Sequence, residues 1–503
     1  MRARHWCALV GLGLAGCGDQ SAVDDTRTAE SASRTVEEQA CPSGTASRVQ
    51  VVAPEWTGPL IISGQGEGRQ QLVDANGTLF FGITYLGAEV TTLWRTDGSG
   101  AGTVPAKVFF PGSSGSAPVI EDLVAVGSQV FFRIHRDDTG VELWVSDGTD
   151  SGTRLVEDLE PGPASPTLLL PTAVGGRLVF LRQVPDTGTP STLRYEVWRS
   201  DGTAEGTFRV TTLPPRVTVS WASLRVGGAL LMFVSGEDTG TSLWRTDGTA
   251  SGTYLVKSLD AQALHVEDVR EVGGQGLFVL PDGVNHEVWR TDGTAAGSVR
   301  LEAFGRPARL MGVVGASVYL STLDTSTLRL QIERLSLAGG GKARVTTLPN
   351  PHAGNPDAYP SIQRTTTSGG RLYFSMAIGS SGPAPQDVQL WATDGTASGT
   401  VLLHRPLSLG DQYWSPLFAT GEGPVLFGGS NGEGGIVEPW FTRGTVATTG
   451  RLTQGELGNP DGFARLGNHV YFFAYDDTEE RQLWSVPASV SCPPGLDAEP
   501  SPR

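Results

Sequence analysis

Four sets of residues in this chain are of types and spacings that could do chemistry. The first is a recurring aspartate. Asp97, Asp147, Asp201, Asp247, Asp292 and Asp394 each stand three residues after a tryptophan (Trp94, Trp144, Trp198, Trp244, Trp289 and Trp391) and directly before a glycine. Such a carboxylate could ligate Ca2+, or it could close a tight turn by accepting nearby backbone amides. The turn is the better reading. One Asp per repeat spreads the carboxylates instead of gathering them, and no D-x-[DN]-x-[DN]-G loop is present. The second set, Gly428-Gly429-Ser430-Asn431-Gly432, fits G-x-S-x-G, but a nucleophile elbow needs a helix after the serine and Glu433-Gly434-Gly435 is a poor helix start. The third set, seven histidines, carries no H-E-x-x-H or C-x-x-C pattern. The expectation is therefore no catalytic, cofactor or metal site in the motifs, with Ca2+ at the Asp turns as the alternative.

The fourth set is the cysteines. Arg2, Arg4 and His5 precede a short apolar run, Trp6 to Leu14, too short to span a bilayer. Leu14-Ala15-Gly16-Cys17 then resembles a bacterial lipobox. The resemblance implies that residues 1–16 are a lipoprotein signal peptide and that Cys17 takes the lipid. Residues 17–40 hold almost nothing apolar and read as a disordered tether, with a mean reach of roughly 25–30 Å. Residues 41–492 are the repeat domain and 493–503 a disordered tail. Cys7 leaves with the signal, so Cys41 and Cys492 remain, each followed by Pro, at the two ends of the repeat domain. An exported chain meets an oxidising compartment, and a Cys41–Cys492 disulfide is predicted, against the alternative of two separate thiols.

The elements that position these residues are repeats. The tryptophan ends a run of β-formers, the Asp-Gly pair turns the chain, and a Gly-Thr pair opens the next strand, as in Leu243-Trp244-Arg245-Thr246-Asp247-Gly248-Thr249-Ala250-Ser251-Gly252-Thr253. Two eroded copies follow at Trp440 and Trp484. A glycine turn before a short apolar strand (Gly227-Gly228 before Leu230-Leu231-Met232-Phe233) recurs nine times. The sixth unit has lost its tryptophan: Ile332-Glu333-Arg334-Leu335 stands where it should be, with Leu335 near the tryptophan position. Each unit reads as four strands, a to d, and four-stranded units at this period predict an all-β fold: a single β-propeller of nine blades, with eight as the alternative. The ninth unit lacks a strand d, while residues 44–52 look like an orphan one. The N-terminal strand is therefore expected to complete the last blade and leave no open edge.

Glu142-Leu143-Trp144-Val145-Ser146-Asp147-Gly148-Thr149 resembles the ELWxxDGT repeats of secreted and surface proteins of myxobacteria and their relatives, as do Glu196-Val197-Trp198 and Glu287-Val288-Trp289 with Val for Leu. The resemblance covers most of residues 70–490 and implies a surface location without a common activity. The formal net charge is −16, and no basic run exists, which argues against nucleic acid as a partner. The loops on one face vary in length and carry acids (Asp137-Asp138, Asp186, Glu237-Asp238, Asp282, Asp324, Glu433, Asp476-Asp477), together with Tyr413 and Trp414. A uniform face beside a variable one suits a binding protein. The expectation is a monomeric, membrane-anchored, non-enzymatic propeller at the bacterial envelope, with the outer membrane or cell surface favoured, that binds an envelope protein or a glycan. The alternative is an envelope enzyme, a glycan hydrolase or lyase, acting in the channel.

Overall fold

The computed structural model describes residues 40–52, 60–63, 71–186, 192–236, 239–261, 266–283, 285–380, 387–407, 416–430, 437–453 and 457–492. The signal segment, Cys17, the tether up to residue 39 and the tail from residue 493 lie outside the described residues, as do Glu237, Asp238, Tyr413, Trp414 and Glu433. Nine antiparallel sheets follow one another along the chain. In the second, strand a is Ile120–Val126, strand b Gln129–Arg136, strand c Gly140–Ser146 and strand d Arg154–Glu157. The order a-b-c-d from one edge to the other holds in every sheet. In the first, the inner strand is broken into Leu60–Ile62 and Val73–Asp74, both paired with Leu79–Tyr85. Neighbouring blades touch through their a strands, except that strand a of the ninth blade, Gly458–Leu466, meets Val425–Ser430 and Val437–Thr442 of the eighth, and the same strand touches Val73–Asp74 of the first. The a strands therefore ring the axis, the d strands form the rim, and the molecule is a nine-bladed β-propeller.

Strands b and c lie between two neighbouring blades, so both of their faces are covered and they read as near-continuous apolar runs. Strand b of the fourth blade, Ala229–Gly236, is buried throughout. The core is accordingly a series of layers between blades. In one such layer Leu224, Leu231, Phe233 and Val256 of the fourth blade pack with Phe278, Leu280 and Trp289 of the fifth. Four repeat tryptophans stack on the aromatic residue opposite them in strand b: Trp94 on Phe81 at 6.2 Å, Trp198 on Phe180 at 6.3 Å, Trp289 on Phe278 at 6.0 Å and Trp440 on Phe427 at 6.1 Å. Opposite the tryptophan position, strand d carries an extra residue in eight of the nine blades. That residue is apolar and tucked into the core, as Val156, Val256, Leu301 and Leu403 show. A bulge lets two consecutive side chains of an edge strand face inward, which the strict alternation of a strand forbids.

In the third, fourth, fifth and seventh blades the a–b turn is a two-residue hairpin with both residues at positive φ, 59° and 71° at Gly227 and Gly228, the type I′ geometry that strand twist favours. The c–d turns are closed by side chains. In the second blade the Thr149 amide and hydroxyl both donate to Asp147 Oδ1, at 2.9 and 2.7 Å. The Gly152 amide donates to Thr149 Oγ1 at 2.9 Å, and the Ser146 and Thr153 hydroxyls meet across the hairpin at 2.7 Å. The arginine after the tryptophan reaches the next blade: Arg199 Nη1 donates to the Gly248 carbonyl at 3.3 Å, and Arg290 Nη1 to that of Leu337 at 2.6 Å.

The sixth blade corrects the sequence alignment. Glu333, not Leu335, occupies the tryptophan register, opposite Leu320 in strand b and Arg344 in strand d. The stack is replaced by a carboxylate between two arginines, Arg344 Nε at 3.4 Å and Arg306 Nη2 at 3.5 Å. In the ninth blade, Ser47–Gln50 supplies strand d: Ser47 faces Ser485, Arg48 faces Trp484 and Gln50 faces Leu483. This blade has no c–d hairpin. Its two strand ends are joined at that corner by the Cys41–Cys492 disulfide, with Cα atoms 5.2 Å apart.

Candidate functional site

The motif residues are held by local partners. Asp97, Asp201, Asp247, Asp292 and Asp394 each repeat the Asp147 geometry, taking an amide and a hydroxyl on Oδ1. Those donors hold each carboxyl below the usual range, the hydroxyl contributing most. Among the described residues no group of three or more His, Cys, Asp and Glu is placed to hold a metal ion. Ser430 ends strand b of the eighth blade, Val425–Ser430, is buried, and its carbonyl meets His404 Nε2 at 2.8 Å. Burial pushes the His404 imidazole down to about 4, so the ring that packs 4.2 Å from Trp440 is neutral.

The acidic loop residues are also engaged. Asp137 accepts from the Ser114 amide at 2.6 Å and the Ser113 hydroxyl at 2.9 Å. Asp324 accepts from the Ser326 hydroxyl at 2.6 Å. Asp476 and Asp477 both receive Arg48, at 3.1 and 3.0 Å. These acids fasten loops and the closing strand.

The inner ring is built differently. A strand a edge has no sheet partner on the axis side, so the strand can bulge without breaking a ladder. Register shifts interrupt strand a in the second, third, fourth, sixth, seventh and ninth blades. The largest is in the fourth, Val217–Val226. There Val219 faces Val234 and Ser223 faces Met232, so Ser220, Trp221 and Ala222 oppose Phe233 alone. The Ala222 amide donates to Ser220 Oγ at 3.1 Å and pins the bulge. Trp221 is 78% exposed, whereas Trp94, Trp289, Trp391 and Trp440 are at most 9% exposed. Leaving this side chain in water forgoes about 3–5 kcal/mol of burial, at about 25 cal/mol per Å2.

Charge is unevenly spread around the ring. Arg225, Arg270, Arg309 and Arg364 lie on strand a of four consecutive blades, the fourth to the seventh, with Asp268 and Glu271 among them. The opposite arc, from the ninth to the second blade, carries Asp461, Asp74, Glu121 and Asp122, with Arg465 among them. Arg133 of strand b neutralises two of these acids, donating to Glu121 at 2.9 Å and to Asp122 at 2.8 Å. A cavity of about 550 Å3 opens between the a strands of the fifth, sixth and seventh blades, where Asp268, Arg270, Arg309, Ser361, Gln363 and Thr365 line it.

Sequence reasoning missed Trp221 and the arginine arc. A signal was present: among the tryptophans in described residues, Trp221 alone lies outside a strand c position.

No family model matches the chain, and no curated protein matches it. Solved structures resemble it at low identity. A puromycin hydrolase mutant matches at 16% identity and a TM-score of 0.34, over 64% of this chain and 50% of that one. A structure from a study of two prolyl endopeptidases matches at 14% and 0.41, over 76% and 54%. Dipeptidyl peptidase 4 of Porphyromonas gingivalis matches at 12% and 0.44, over 72% and 56%. The chain spans about half the length of each of these proteins.

Proposed function

We propose that the chain is a lipid-anchored, non-enzymatic binding protein of the bacterial envelope that captures a glycan on the inner ring of its propeller. The observation that carries the reading is Trp221, held 78% exposed by a bulge in a strand that borders the axis. An exposed aromatic plane offers a sugar ring an apolar face, while the hydroxyls of neighbouring a strands offer hydrogen bonds. Binding sites combine an apolar surface with a few polar groups in this way. The carboxylates that glycan hydrolysis would need as a spaced pair are instead tied to local partners, as Glu121 and Asp122 are by Arg133. Cys17 would carry the lipid and residues 18–40 would hold the ring away from the bilayer, at the outer membrane or cell surface.

Two experiments test this. In an envelope-glycan binding screen, Trp221→Ala should lose the glycan at an unchanged melting temperature, because an exposed side chain contributes within about 0.5 kcal/mol to stability. Capture of an envelope protein that is indifferent to Trp221, with no glycan bound, would replace the glycan reading with a protein one. Cys17→Ser should move the chain from the membrane to the soluble fraction, and retention in the membrane would remove the anchor.

A further inference from the structure

We infer that the cavity over the sixth blade is a subsite for the carboxylate of an acidic sugar, so that the glycan is uronate-rich. The inference rests on the glycan reading above and adds the charge of the ligand.

The chain as a whole carries −16, which repels anions, yet this part of the ring presents arginines to solvent. Arg309 has a side chain 60% exposed and makes a loose contact, 3.7 Å, with Asp268. Asp268 itself is turned to the protein: its side chain is 16% exposed, and its Oδ2 accepts the Leu310 amide at 3.0 Å. It lines the inner wall of the cavity beside Arg309, with one oxygen committed to the Leu310 amide. Arg270 donates to Thr365 Oγ1 at 3.5 Å and to the Val269 carbonyl at 3.4 Å, both at the long limit for a hydrogen bond. Each guanidinium has five N–H donors in a planar fork that matches a carboxylate, and these contacts leave most of that capacity unspent. The cavity volume, about 550 Å3, is of the size that holds a small ligand. Ser361, Gln363 and Thr365 on the far wall supply the neutral hydrogen-bonding groups that sugar hydroxyls require. Trp221 lies one blade away, on the strand that packs against strand a of the fifth blade, so one oligosaccharide can meet the aromatic plane and the arginines together.

The cavity also coincides with the blade that has lost the repeat. Strand a of the sixth blade, Ala308–Val314, bulges between Leu310 and Gly312, and Gly312 has a φ of 156°. Arg270 of the fifth blade can therefore reach Thr365 of the seventh across it.

The test is calorimetric titration of the full chain with an oligogalacturonate and with the neutral galactose oligomer of the same length. The acidic oligomer should bind at least about tenfold more tightly, the worth of one charge-assisted hydrogen bond. The double variant Arg270→Gln, Arg309→Gln should remove that preference while still binding the neutral oligomer, with an unchanged melting temperature. Equal affinity for the two oligomers in the parent chain, with loss of both on Trp221→Ala, would overturn the acidic subsite and leave the glycan reading intact. A preference that persists in the double variant would also overturn it. A polyglutamate peptide that binds as tightly as the oligogalacturonate would show that the arginines read any carboxylate and would overturn the sugar assignment. Binding of neither oligomer would overturn both readings.

Discussion

The fifth and sixth blades stand side by side and fill the same place in opposite ways. In the fifth, Trp289 stacks on Phe278 at 6.0 Å, and its indole N–H donates to Glu287 Oε2 at 3.0 Å. Asp292 closes the turn behind it. In the sixth, Leu320 faces Glu333, and Gly339, Gly340 and Gly341, all at positive φ, replace the Asp-closed hairpin. Both blades keep four strands, the same order and the strand d bulge. The frame is set by what every blade shares, namely strand order and packing between blades, together with a strand d bulge that only the eighth blade lacks. The tryptophan motif strengthens that frame locally. In a repeat protein stability is roughly a sum of local and nearest-neighbour terms, so one weak unit survives between strong ones. The side of the ring nearest that unit is also where the arginine-lined cavity opens.

The largest expected effect comes from importing the loss into the intact blade. Trp289→Ala should lower stability by about 3–5 kcal/mol, since it empties a packed layer and leaves Glu287 without its indole donor. Chemical denaturation would show it, and a loss under 1 kcal/mol would mean that the stack is dispensable even where it is present.

The closing corner of the ninth blade is the second comparison. There the disulfide stands where the other blades have a hairpin. Replacing both cysteines by serine should cost about 2–5 kcal/mol. Hydrogen exchange should show the strand Ser47–Gln50 opening first. Uniform exchange around the ring would contradict a special role for that corner.

Asp292→Ala is expected to be milder, about 1 kcal/mol, because it removes hydrogen bonds at an exposed turn. The same substitution should be neutral to ligand capture.

The smallest effect is in the pH profile, where two buried groups oppose each other. Glu142 is the acid two residues before Trp144, and Leu155 stands opposite that tryptophan, where the fifth blade has Arg300. Burial pushes Glu142 up to about 7 despite the amides of Leu159 and Glu160 that it accepts. Its folded pKa lies above its unfolded value of 4.5, so its contribution is lost as pH rises from 4.5 to about 7. His404 lies below its unfolded value of 6.5, so its contribution is lost as pH falls from 6.5 to about 4. Asp268 and Glu438, also raised by burial, act in the same direction as Glu142. Relative to the parent, Glu142→Gln should tilt the profile toward a fall in melting temperature on acidification from pH 6.5, and a profile parallel to the parent would show that Glu142 does not titrate there.

Much of this fold was legible in the sequence because the repeat writes its own punctuation. Glycine pairs mark the a–b turns, Trp and Asp-Gly mark strand c and its turn, and the orphan strand at residues 44–52 and the two cysteines announce closure. The sixth tryptophan position was misplaced because no aromatic marks it, and only the pairing of Glu333 with Arg344 sets the register. The place of Trp221 outside the repeat motif was legible, but its exposure was not. Ser220-Trp221-Ala222 reads as ordinary strand, and whether three residues oppose one depends on the partner strand and on an edge that faces the axis. The arginine arc escaped for a related reason. Arg225, Arg270, Arg309 and Arg364 are far apart in sequence and share one surface only because the blades are arranged in a ring.

The central claim is that the repeated motif holds the ring while the inner strands bind the ligand. The direct measurement is a paired one, melting temperature and glycan affinity for Asp292→Ala and Trp221→Ala side by side. Asp292→Ala should melt earlier and bind as the parent does, and Trp221→Ala should melt with the parent and lose the glycan. If Asp292→Ala instead lost the ligand at an unchanged melting temperature, or Trp221→Ala kept full affinity, the division between scaffold and site would be wrong.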